Sequence, residues 1–328
     1  MADARHRTVE ANGIRMHLAE QGEGPVVLLC HGFPETWYSW RHQLAALAEA
    51  GYRAVAPDLR GYGGTDRPPD ADRYTLLHLL GDVVALLDAL DVPRAVIVGN
   101  DWGATLAWHA ALLRPDRFRG VVAMGVPMMG QPPRPPTELF PRTGDALFYT
   151  LYFQDPGVAE AELERDVRAS LHKLLYAASG DAGPRQPGDG TPNPFGMVSR
   201  DAGLLGPLPL PASLPPWLTE ADLDELAASF RASGFRGGLN FYRNLDRNRE
   251  LLAGFGGMRV EVPALYLAGE RDPGFAMPGM RQIVDAMPAL VPGLAGSHVL
   301  GGGGHWIQQE KPLEVNALLT SFLRSLPT

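Results

Sequence analysis

The sequence predicts an α/β fold: a mostly parallel central sheet flanked by helices and interrupted by an inserted, mainly helical module. Three observations carry this. Short β-branched runs alternate with helix-like segments over the first 128 residues, the rhythm of parallel strands joined by crossover helices. That rhythm stops at Pro127 and resumes only with VPALYLAGE (262–270). The residues between are patterned as helices and as Pro/Gly-rich loop.

The elements follow in order. PVVLLC (25–30), YRAVAP (52–57), AVIVGN (95–100) and GVVAMGV (120–126) read as strands. Between the second and third, Leu76, Leu79, Leu80, Val83, Val84, Leu87 and Leu90 recur at helical spacing on one face. After QPPRPP, helix-like stretches run from about 144 to 178. The tract SGDAGPRQPGDGTPNPFG through LPLPASLPPW, about 180 to 217, holds too much Pro and Gly for one long helix or strand. ADLDELAASFRASG and GLNFYRNLDRNREL read helical again. VPALYLAGE and SHVLG (297–301) restore the strands, and a last helix turns Val315, Leu318, Leu319, Phe322 and Leu323 inward. The expected division is a first core part (1–128), a helical insertion (129–252) and a second core part (253–328).

Composition narrows the function. Over 328 residues, 29 Lys+Arg against 37 Asp+Glu give a net charge of −8 with no basic block, so neither nucleic acid nor an anionic membrane surface is the expected partner. The polar start MADARHRTVEANG and the absence of any run of about 18 apolar residues lead us to expect a cytoplasmic protein without a membrane anchor. A single cysteine, Cys30, ends an apolar run where burial is expected; it permits no intrachain disulfide and no cysteine-based zinc site. No metal site is expected.

VIVGNDWGATLAW runs from a strand into a helix through Gly99-Asn100-Asp101-Trp102-Gly103, which has the glycine spacing of a GxSxG nucleophile elbow with Asp101 in the serine position. The substitution has a chemical reading. A serine that attacked saturated carbon would leave an ether, which water does not remove under mild conditions. Aspartate leaves an alkyl ester, which water hydrolyses at its carbonyl. Asp101 thus points to displacement at sp3 carbon, the alternative being that it only caps the following helix. Trp102, next in the chain, is placed to aim its backbone N–H at a developing oxyanion.

Two partners follow in chain order. His305, in the glycine-rich VLGGGGHWIQQEKP, is the candidate base, and Asp272, in LYLAGERDPGF, the candidate that orients it, with Glu270 as competitor. Nucleophile, acid, histidine is the order of an α/β hydrolase triad. At the other end of the site, the loop HGFPETWYSWRHQ (31–43) follows a strand, and the Phe33 N–H is the expected second oxyanion donor, with His31 read as structural.

Together, HGFPETWYSWRHQ, DLRGYGGTDRP, GNDWGA, LYFQDPGVAEAELE, LNFYRNLDRN and GHWIQQEKPLEVN resemble the soluble epoxide hydrolase family of α/β hydrolases along nearly the whole chain. The resemblance implies a helical cap whose two tyrosines donate to the epoxide oxygen; the matching positions are Tyr149 and Tyr242, with Tyr152 able to exchange with Tyr149. Phenol donors in a dry pocket suit an alkoxide leaving group. Phe33, Pro34, Trp102, Tyr152 and Trp306 are the expected substrate contacts. The implied partners are an epoxide and water, with no cofactor. A homodimer stays open, since the Pro/Gly tract is placed to gate entry or to meet a second subunit. Many members of the family carry histidine where this chain has Asn100, so hydrogen bonding behind the elbow is expected to differ. The rival readings are a haloalkane dehalogenase using the same aspartyl ester and a non-catalytic ligand-binding relative.

Overall fold

The computed structural model describes residues 4–183 and 196–327. Its centre is an eight-stranded sheet, β1 (Arg5–Ala11), β2 (Ile14–Gln21), β3 (Val26–Cys30), β4 (Arg53–Pro57), β5 (Ala95–Asn100), β6 (Phe118–Met124), β9 (Ala264–Gly269) and β10 (Leu294–Leu300), in the order β1-β2-β4-β3-β5-β6-β9-β10. All pairings from β4 to β10 are parallel, and β2 runs antiparallel to both β1 and β4. The numbering skips β7 and β8 because that pair lies in the insertion, Ala146–Phe148 and Met197–Ser199.

The six expected strands are present with ends shifted by a few residues; GVVAMGV forms its strand two residues early, as Phe118–Met124. The β1–β2 hairpin is an addition to the sequence reading. Its Asn12-Gly13 turn, with both residues at positive φ, is a strong hairpin signal. The mostly exposed, charged strand β1 hid it, because an edge strand carries no apolar run.

Strand order places the site. The chain leaves β3 through α1 (Arg41–Glu49) to β4 on one side, then returns through α2 (Leu76–Ala89) to β5 on the other. The carboxyl ends of β3 and β5 therefore flank a topological switch point, where open α/β sheets form their crevice. The residues after those ends are His31 to Phe33 and Asp101.

Alternate side chains of the parallel strands feed two cores. Val27, Leu29, Val96 and Val98 pack with Leu44 and Leu47 of α1 and with Val315, Leu319 and Phe322 of the last helix, α13 (Pro312–Ser325). Leu28, Cys30 and Ile97 face α2 and α3 (Trp102–Leu113). Of the expected inward face of α2, Val84 is only half-buried, and Leu86 is buried in addition. The second core is continuous with the insertion through Leu171, Leu175, Phe230, Phe235 and Phe241.

Between β6 and β9 lie α4 (Pro136–Leu139), β7, α5 (Tyr149–Tyr152), α6 (Val158–Leu163), α7 (Val167–Ala178), β8, α8 (Glu220–Ser233), α9 (Arg236–Arg243) and α10 (Leu245–Leu251). The 144–178 stretch is thus not helical throughout, since it opens with β7, whose partner lies beyond the Pro/Gly tract. Residues 184–195 of that tract, and with them part of the expectation that it gates entry or meets a second subunit, lie outside the described residues. After β9 come α11 (Met280–Ala286) and α12 (Ile307–Glu310). No helix among the described residues is long and apolar enough to cross a membrane.

Candidate active site

β5 ends at Asn100 and α3 starts at Trp102, leaving Asp101 in the turn at φ 54° and ψ −119°. A non-glycine residue there is strained and persists only where its surroundings over-determine it. Those surroundings are backbone. A Cβ on Gly99 would collide with the Gly103 carbonyl, one on Gly103 with the Cys30 carbonyl, and one on Gly32 with the Asp101 side chain itself. The glycine spacing is thus what lets β3, β5 and α3 close around the aspartate. Asp101 makes no side-chain cap to α3, which removes the capping alternative. Its Oδ1 instead accepts from the Phe33 N–H at 2.8 Å. Trp102, first in α3, carries one of the first-turn amides that a helix leaves without an internal partner.

The imidazole comes from the opposite flank. His305 Nδ1 donates to Asp272 Oδ2 at 2.9 Å, while Nε2 lies 3.5 Å from Asp101 Oδ2. Asp272 is buried, and its other oxygen accepts from the Gly274 N–H at 2.7 Å, so the carboxylate is fixed on both sides. Glu270 is exposed and accepts from the Gly302 N–H, which leaves Asp272 as the partner of His305. Burial disfavours a charged imidazole, but the Asp272 charge, with the Asp101 carboxylate behind it, outweighs burial and holds His305 well above its ordinary range.

From the insertion, Tyr149 opens α5 and Tyr242 lies on α9, their rings edge-on with centroids 5.8 Å apart. Tyr242 packs on Trp102 at 5.1 Å and on Phe33 at 5.7 Å. Burial first, and then the Asp101 charge, raise both phenols above their usual value, so both stay protonated at neutral pH and both sense the aspartate. Phe153, which the sequence reading passed over, fills the space among Phe33, Tyr149 and Tyr242.

Two expected substrate contacts bond to other partners in the fold. The Tyr152 hydroxyl donates to Glu162 at 2.7 Å, and Glu162 in turn accepts from the Leu204 and Leu205 N–H groups, so Tyr152 ties the insertion to itself. Trp306 is buried edge-on against the His305 ring at 4.7 Å, with its indole N–H donating to the Leu175 carbonyl. Pro34 is buried beside Phe33. His31 is structural: Nδ1 donates to the Gly32 carbonyl and Nε2 accepts from the Leu59 N–H.

Behind the elbow sits a carboxylate that the sequence reading missed. Glu35 is 1% exposed and accepts from Gln308 at 2.9 Å, Gln309 at 2.8 Å and Asn100 at 3.4 Å. Burial pushes it up to about 7, against the opposing pull of His305. Asn100 thereby keeps the elbow connected to Glu35, while its own Oδ1 stays unpartnered. Among the described residues, no group of three or more His, Cys, Asp or Glu side chains is arranged to hold a metal ion.

This geometry has close relatives. The α/β hydrolase fold family matches residues 25–189. Epoxide hydrolase A of Mycobacterium tuberculosis is 43% identical over 329 residues, covering 99% of each chain. The chain belongs to the epoxide hydrolase family of α/β hydrolases. Its likeness to other members extends to solved structures: an epoxide hydrolase from an endophytic Streptomyces superimposes with a TM-score of 0.93 at 47% identity, covering 99% of this chain and 96% of that one. Epoxide Hydrolase A from Mycobacterium thermoresistibile does so at 0.90 and 42%, covering 99% of both. The Bifunctional epoxide hydrolase 2 of Rattus norvegicus is 39% identical over 95% of this chain, which spans 54% of that longer protein.

Proposed function

We propose that this chain is an epoxide hydrolase that converts an epoxide and water to a vicinal diol through an ester on Asp101. The observation that carries the reading is the division of labour between the two Asp101 oxygens: Oδ1 is held by the Phe33 N–H, and Oδ2 faces His305. Oδ2 attacks an epoxide carbon as its C–O bond breaks, and the departing oxygen, held by Tyr149 and Tyr242, takes a proton from one of the two phenols. The ester keeps Oδ1 as its carbonyl oxygen. Esterification removes the Asp101 charge, one of the influences that raise His305, so the imidazole is more readily neutral when it has to take a proton from water. Nε2 then takes a proton from water, whose oxygen adds to the ester carbon. The oxyanion forms on Oδ1 against the Phe33 and Trp102 N–H groups, and collapse expels the diol oxygen, which takes the proton back from His305; the second proton of the water, left on the Asp101 carboxyl, returns through solvent to the phenolate and restores both groups. Phe33, Pro34 and Trp102 line the substrate side.

Residues 129–252 are the cap in this reading, the enzyme is cytoplasmic, and nucleic acid is not a partner; cell fractionation and light scattering test location and a homodimer. The function itself is tested with styrene oxide and 1-bromobutane on the wild type and Asp101→Ala. Diol without halide, lost in the variant, is expected. Halide without diol would overturn the epoxide reading in favour of a dehalogenase.

A further inference from the structure

The loop that carries His305 is bonded to the insertion through a backbone N–H and a side chain. The His305 N–H donates to the Ala178 carbonyl at 2.9 Å, and the Trp306 indole to the Leu175 carbonyl at 2.9 Å, both at the end of α7. Arg271, next to Asp272, donates Nη1 to the Gly180 carbonyl at 3.0 Å, while its own N–H donates to Gly303 at 2.8 Å. Backbone lies directly on backbone here: a Cβ on Gly304 would collide with the Gly180 nitrogen, and one on Gly180 with the Gly302 carbonyl.

One side chain closes this junction. Glu310, the last residue of α12, accepts from the Gly304 N–H at 2.8 Å and the Gly180 N–H at 2.9 Å on Oε2, and from the Trp306 N–H at 2.9 Å on Oε1. A single carboxylate therefore brackets His305 on both sides along the chain and binds the end of α7 at the same time. Burial works against its charge and raises it above the usual carboxylate range, with the three amides pulling the other way.

We infer that Glu310 is a positioning residue for His305, locking the histidine loop to the end of α7 and so governing hydrolysis of the Asp101 ester rather than its formation. The inference rests on the two-step reading above. Asp101 is placed from the core side, by the close approach of β3, β5 and α3, by the Phe33 N–H and by its own N–H bond to Met124 of β6. Misplacing the imidazole by about 1 Å slows water activation by about 100-fold and leaves alkylation untouched.

The test is Glu310→Gln, which keeps the shape but presents an amide N–H₂ toward one of the three backbone donors. With styrene oxide, kcat is expected to fall by about 100-fold while kcat/KM, set by alkylation, is unchanged, and the ester accumulates as an intact-mass adduct. Arg271→Leu, which removes only the bond to Gly180, gives the same signature at smaller size and carries the test if Glu310→Gln does not fold. Loss of kcat and kcat/KM in equal measure, or retention of wild-type kcat, overturns the inference. A wild type that forms neither adduct nor diol overturns the two-step reading itself, and this inference with it.

Discussion

Nucleophile and base reach the same 3.5 Å contact by opposite structural routes. Asp101 is held directly from the core side, by three close-packed glycines and one backbone N–H in a strained turn, while Tyr242 of the insertion packs on its neighbours Trp102 and Phe33. His305 hangs between Asp272 in the core and the end of α7 in the insertion. On the proposed mechanism the difference separates the two half-reactions: ester formation would draw on the elbow and the two phenols, whereas ester hydrolysis would draw on the junction between core and insertion. Glu35 links the sides, taking a donor from Asn100 behind the elbow and two from Gln308 and Gln309 of the histidine segment.

The largest effects break the comparison outright. Asp101→Asn is expected to abolish adduct formation and lower diol production by at least about 10⁴-fold. Asp272→Asn leaves alkylation intact but offers His305 Nδ1 a poorer partner, so hydrolysis falls by about 10⁴-fold and the ester is trapped; intact mass and single-turnover rates separate the two variants. If both lost the same step, the division would fail.

Next in size is Tyr242→Phe, expected to lower kcat/KM by about 100-fold through slower alkylation, with no trapped ester.

A smaller effect concerns Glu35 and pH. Its folded value is raised, from an ordinary 4.5 to about 7, so the fold prefers the neutral carboxyl. The folded state then binds the extra proton, and this group's stabilising contribution is complete below about pH 4.5 and is lost as pH rises to about 7. His305, also raised, adds a loss in the same direction at higher pH. Histidines held below their ordinary value by burial, His31 and His109 among them, gain stability over the same range, so the reading is a difference: the melting temperature of the wild type relative to Glu35→Gln should fall from pH 4.5 to about 7. A difference that rose over that range would contradict the buried neutral acid.

The smallest effect is Tyr152→Phe, which removes the hydroxyl that ties Glu162 and is expected to cost about 1 kcal/mol of stability with kcat/KM unchanged. A loss matching that of Tyr149→Phe would return Tyr152 to the reacting centre.

Legibility followed range. The elbow, the order of Asp101, Asp272 and His305, and the strands β3 to β6, β9 and β10 were readable, because each is a local pattern of glycine spacing, apolar runs or position after a strand. The choices between Asp272 and Glu270, and between Tyr149 and Tyr152, were not. In each pair the residues are two or three positions apart, and their side chains turn to different partners: His305 against Gly302, and the Tyr242 ring against Glu162. Glu35 and Glu310 were equally silent, since nothing in HGFPET or WIQQEK announces that a carboxylate will be buried among donors from distant segments.

The sequence alone determined the fold class and the chemistry of the nucleophile, because strand periodicity, turn geometry and the reactivity of a carboxylate at an elbow are properties of neighbours in the chain. Only the tertiary structure decided which acid holds the histidine, which tyrosines lie near the aspartate, and that the histidine loop is bonded to the insertion. Those outcomes depend on burial and on hydrogen bonds between segments far apart in sequence, 130 residues between Gly180 and Glu310 and 274 between Glu35 and Gln309, and such pairings exist only once the chain has closed on itself.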